Sequence, residues 1–144
     1  MIRVPVLTIR QPWAWAILEA GKDVENRTWG TTYRGPIGIH AAKGMTRGEY
    51  DWFEEFLVRR FQPKALYLPA FHHMERGAIV GIADLVDCTK HSESPWFSGP
   101  VGFVLRDALA FAEPIPAAGK LGFWYPPPDV AITLEDLVLR RGVE

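Results

Sequence analysis

Three ionisable side chains of complementary type, Lys22, Glu25 and Arg27, lie within six positions of one another. An ammonium and a guanidinium meet phosphate or carbonyl oxygens, and a carboxylate accepts from an exocyclic amine. Trp13, Trp29 and Tyr33 lie close by in the chain and offer faces on which a planar ring can stack. The same residues also admit a plainer account: a Glu25–Arg27 or Glu25–Lys22 pair at an exposed rim, with the aromatics packed in the core. His40 and Asp84 are further candidates, because the strand alternation sets His40 opposite Ile39 and Ala41 and puts Asp84 in phase with Val80 and Ile82. His72, His73, Cys88 and His91 offer only one ligand-like spacing, Cys88-x-x-His91, so no metal site is expected. Cys88 ends a strand instead of opening a helix, which argues against a nucleophile. With no glycine-rich phosphate loop, ATP-driven chemistry is not expected.

The elements that must position these groups follow from periodicity. Val4 to Ile9 reads as a strand and Pro12 as the start of a helix. Trp13, Ala16, Ile17 and Ala20 form that helix's buried stripe, and Gly21 is its left-handed cap. Trp13 and Trp15 stand about 200° apart around the helix, so one of them meets a second layer or a ligand. Val24 to Trp29 and Ile37 to Ala42 alternate as strands. Thr46 and Glu49 make a capping box for a helix carrying Tyr50, Phe53, Leu57 and Phe61. Residues 62 to 77 read as irregular, Ala78 to Cys88 as a long strand, and Val101 to Leu105 and Ala108 to Ala112 as two more. The stretch from Pro114 to Pro128 reads as loop, followed by a short helix opened by Thr133 and Asp136. Strands around a few helices, without repeats or linkers, predict one α+β domain over residues 1–144: a small β-barrel with two or three helices packed on it.

Composition agrees. A chain of 144 residues with 48% apolar and 23% charged residues buries enough surface to fold without disulfide or metal. Apolar runs are too short to span a bilayer, no secretory leader is evident and Cys88 stands alone, which predicts a cytoplasmic protein with no membrane association. Net charge is −1, but residues 1 to 48 hold seven cations against three acids, an excess of +4. A local anion-binding cleft on an otherwise unsticky surface fits that distribution.

Three segments together carry a family likeness. Leu7-Thr8-Ile9-Arg10-Gln11-Pro12-Trp13-Ala14, Gly21 through Trp29, and Tyr33-Arg34-Gly35-Pro36-Ile37-Gly38-Ile39-His40-Ala41-Ala42-Lys43 resemble the activating signal cointegrator homology (ASCH) domain. That family is related to the pseudouridine synthase and archaeosine transglycosylase (PUA) domain. Gly81 to Cys88, Pro114-Ile115-Pro116 and Gly119 to Trp124 extend the likeness to about residue 125. Lys22, Glu25 and Arg27 match the family signature, whose glycine position is held here by Ala20, one place before Gly21. The resemblance implies a PUA-like barrel whose cleft binds RNA, single-stranded nucleic acid or a modified nucleoside without a cofactor. Gln11, Trp13, Lys22, Glu25, Arg27, Trp29, Tyr33, His40 and Lys43 are the candidate ligand-binding residues. Some family members deacetylate N4-acetylcytidine and others are ribonucleases. The deacetylating members have a threonine nucleophile where this chain has Glu25, so a hydrolase here would use Glu25 as a general base toward water, with Lys22 on the oxyanion.

Overall fold

A computed structural model of the chain describes residues 2–65 and 67–141. Strand β1 (Val6–Ile9) leads into helix α1 (Trp13–Glu19), then β2 (Val24–Arg27) and β3 (Gly35–Ala41). Helices α2 (Arg47–Arg60) and α3 (Gln62–Ala65) follow, and after them a single 3₁₀ turn at Phe71–His73. The chain continues through β4 (Ala78–Thr89), β5 (Val101–Pro116), β6 (Phe123–Trp124) and α4 (Pro128–Arg140). All six strands belong to one sheet in the order β2-β5-β4-β3-β1-β6, with β1 and β3 parallel. The sheet curls into a half-barrel, giving the α+β class. Its long central pair, β4 and β5, changes register three times, and such irregularities bend and twist a sheet. Gly81 lies at one of them: a Cβ there would stand 2.4 Å from the Leu109 carbonyl and 2.6 Å from Leu18.

Alternation sorts the strands onto two cores. Leu7, Ile9, Ile37, Ile39, Leu85 and Phe103 pack on one face with Ala14 and Ile17 of α1. Val6, Ile79, Ile82 and Trp124 pack on another with Leu134 and Val138 of α4. Helix α2 bears the expected capping box, Thr46 Oγ1 accepting from the Glu49 amide at 3.1 Å while Glu49 accepts from the Thr46 amide at 2.8 Å. Arg10 grips the same carboxylate at 2.6 and 2.7 Å, which ties the β1–α1 loop to α2 and holds the Glu49 pKa down at about 2.

Several boundaries differ from those the sequence predicts. The two short strands after Val101 are one strand, β5, which continues through Pro116; it passes Asp107 with φ of 53° instead of breaking there. Residues 62 to 77 contain α3 and the 3₁₀ turn. Helix α4 starts at Pro128, where proline is preorganised for the first turn, and Thr133 sits inside it donating to the Asp129 carbonyl at 3.2 Å. The Phe123–Trp124 strand, placed in a loop by the sequence reading, pairs with β1.

Candidate functional site

Helix α1 ends as the sequence predicts. Gly21 takes φ of +74°, and the Lys22 amide reaches back to the Ala16 carbonyl at 3.0 Å, which reverses the chain sharply. That reversal turns the Lys22 side chain inward, where the residue is only 4% exposed. Its Nζ donates to the Val24 carbonyl and lies 3.4 Å from Glu25 Oε1. Burial pushes the ammonium pKa below the ordinary lysine value, and the Glu25 charge opposes that shift without cancelling it. Strand alternation then sets Glu25 and Arg27 side by side. Arg27 Nε and Nη2 lie 3.1 and 3.0 Å from Glu25 Oε2, and Nη2 also donates to the Thr8 carbonyl at 2.9 Å. One buried carboxylate is therefore clamped between an ammonium and a guanidinium.

This triad lines a cleft of about 730 Å³, within the range of small-molecule pockets. Trp13 forms part of one wall, its ring centre 5.8 Å from Lys22 Nζ and in an edge contact with Phe53 at 5.0 Å. Trp29 lines the cleft too while packing edge-on to Phe103 and Phe123 at 5.1 and 5.6 Å. Two further walls were not evident from the sequence. Residues 95–98 make one, held by Asn26, whose amide donates to the Trp96 carbonyl at 3.0 Å and accepts from the Ser98 and Gly99 amides at 2.9 and 3.1 Å. The other belongs to α2, where Trp52, Phe56 and Arg60 recur every fourth residue beside the buried Phe53–Leu57 stripe. An aromatic stripe wider than the helix needs for its core was the available signal.

Trp13, Lys22, Glu25, Arg27 and Trp29 thus share one cavity, whereas five other candidates lie elsewhere. Gln11 is buried as a staple, accepting from the Trp15 amide at 2.9 Å and donating to the Glu75 carbonyl at 2.8 Å. Tyr33 spends its hydroxyl on the Pro36 carbonyl at 2.7 Å. His40 is 1% exposed on the α4 side of the sheet, edge-on to Trp124 at 5.5 Å, with Nε2 2.7 Å from the Ala117 carbonyl. Burial holds its pKa below the ordinary histidine value. Lys43 is exposed outside the cleft lining. Asp84 pairs with Arg141 at 2.8 Å, away from the triad. Among the described residues, no three His, Cys, Asp or Glu side chains converge as metal ligands, and no helix is long and apolar enough to cross a membrane.

A curled α+β half-barrel with a Lys-Glu-Arg cleft at a helix-to-strand junction defines the class of domain. The chain belongs to the ASCH domain family, whose model matches residues 7–100, from β1 through the 95–98 wall. It is similar to human activating signal cointegrator 1, 26% identical over 127 residues that make up 82% of this chain and 21% of that protein. The mouse protein of the same name is 31% identical over 88 residues, 60% of this chain and 15% of its own length. The chain thus spans about a fifth or less of the curated relatives it matches.

Proposed function

We propose that the cleft binds RNA, as a single strand or an extruded base, or a modified nucleotide. The observation that carries this reading is the buried Glu25 carboxylate held between Lys22 and Arg27 beneath aromatic walls. Arg27 and Lys22 meet phosphate or carbonyl oxygens, Glu25 accepts from an exocyclic amine, and Trp13 and Trp29 present ring faces to the base. Unstacked bases suit such a pocket, because a paired base cannot present its face to an aromatic wall. Membership of a family that is generally RNA-binding supports the same reading.

A second reading, hydrolysis of an N-acylated pyrimidine nucleoside or of RNA, draws on the Lys22 amine, whose depressed pKa beside a carboxylate suits proton transfer. The lining favours binding over covalent catalysis: among the described residues neither Thr28 nor Ser98 bonds to Lys22 or Glu25, and Thr8, whose carbonyl holds Arg27, turns its hydroxyl to Trp124 Nε1 on the other face of the sheet.

The test is titration of a short single-stranded RNA and of N4-acetylcytidine into wild type and Arg27→Gln, with chromatography for product. Loss of one charged hydrogen bond predicts affinity weakened about 10- to 150-fold. An Arg27→Gln protein that binds as tightly as wild type overturns the cleft assignment. Turnover that vanishes in Glu25→Gln while binding persists establishes the second reading instead.

A further inference from the structure

The aromatic wall contributed by α2 is larger than a single bound base requires. Trp52 is 54% exposed, yet its ring stacks on Phe56 at 5.5 Å with an interplanar angle of only 9°, and tilts 5.9 Å from Trp13. The core side of the helix is already filled by Tyr50, Phe53 and Leu57, and Trp52 stands outside that stripe with one ring face on Phe56 and more than half of its surface exposed. Arg60 follows one turn beyond Phe56, its guanidinium carbon 5.9 Å from that ring. Trp52, Phe56 and Arg60 all line the cavity that holds the triad, so the stripe is continuous with the cleft and carries a ring platform from it toward solvent.

We infer that Trp52 stacks the base adjacent to the one seated over Lys22, Glu25 and Arg27, with Arg60 meeting the phosphate between them, so that the ligand is a single-stranded oligonucleotide and not a free nucleoside. The inference rests on the cleft reading above and deepens it. Two features select this occupant. Lys22 and Arg27 together outweigh Glu25 by one positive charge and exposed Arg60 adds another, an excess that matches a phosphate chain running along the cleft. An indole backed by a parallel ring presents its outer face to solvent, where a successive base can stack. A free nucleoside, filling the inner cleft alone, leaves that face unused.

The experiment measures the affinities of uridine 5′-monophosphate and of pentauridylate for wild type, Trp52→Ala, Trp52→Leu and Trp52→Phe. In wild type the pentamer binds more tightly than the monomer. Loss of one base–aromatic stack is expected to weaken the pentamer about 5- to 150-fold, collapsing the pentamer-to-monomer ratio in Trp52→Ala. Trp52→Leu keeps apolar bulk without a ring and should behave like Trp52→Ala, whereas Trp52→Phe should restore most of the ratio. A ratio that changes less than twofold in both Ala and Leu variants, while Arg27→Gln weakens both ligands, overturns the Trp52 platform and leaves the cleft reading standing. If wild type binds neither ligand, the cleft reading falls and this inference with it. A wild-type dimer in sedimentation that Trp52→Ala dissociates assigns the face to a second copy of the chain and overturns the inference.

Discussion

Lys22 carries an ammonium to a place that water scarcely reaches, and it stays there because Glu25 is 3.4 Å away and a backbone carbonyl takes another of its protons. His40 shows the opposite treatment of a titratable group. Its Nε2 faces the Ala117 carbonyl, and among the described residues its buried Nδ1 has no partner; Gly119 lies so close that a Cβ there would stand 3.0 Å from that nitrogen. Burial disfavours the charged ring more than the Ala117 hydrogen bond favours it, so the folded protein resists protonation and the pKa lies below the ordinary histidine value. The unfolded chain then takes up the proton first. Stability is full above about pH 6.5 and falls as the pH drops through that value toward the lower folded pKa, by at most about 1.4 kcal/mol per pH unit. His40→Gln keeps a donor for the Ala117 carbonyl without a titration, so urea denaturation at pH 5, 6 and 7 should show a shallower pH slope than wild type. An unchanged slope would assign the acid sensitivity to another group.

At the scale of elements, the site depends on one short edge strand. β2 presents Glu25 and Arg27 to the cleft, while Asn26 between them holds the 95–98 wall by its side chain. The fit behind that wall is tight. A Cβ at Gly102 of β5, opposite Asn26 in register, would stand 2.6 Å from Val24 and 2.9 Å from the Phe97 ring. Gly102→Ala should therefore cost about 1–3 kcal/mol of stability through overpacking. It should also weaken ligand binding, because relief of the clash moves Phe97, which lines the cleft. Chemical denaturation and RNA titration on the same variant check both. Lost stability with unchanged affinity would mean that the 95–98 wall takes no part in binding.

For the whole molecule, a net charge of −1 leaves little general attraction to a polyanion, so any affinity must arise locally. Of the cations lining the cleft, Arg10 is paired with Glu49, and Lys22 and Arg27 share Glu25, so with Arg60 the excess is two positive charges and about two phosphates are neutralised. The slope of log affinity against log salt should be roughly −1.4 for a single strand. Measuring binding from 50 to 300 mM salt checks this, and a flat dependence would point to stacking or to a small neutral ligand.

Local spacing made the triad legible from the residues alone. Gly21 had to end α1, the alternation after it had to put Glu25 and Arg27 on one side of a strand, and the Thr46–Glu49 box had to start α2. Each of these depends on neighbours within a few residues, where periodicity and capping act. The walls depend on partners far along the chain: Asn26 meets Trp96 seventy residues on, and α2 brings Trp52 and Phe56 across to Trp13. Strand order is equally non-local, which is why Gln11, Tyr33 and His40 looked suitable by type and position yet are committed to Glu75, Pro36 and Ala117. Polar residue types show in a sequence which groups are available. Only the packed structure decides which of them keep a free face, because each buried donor must first satisfy the backbone that folding brings against it.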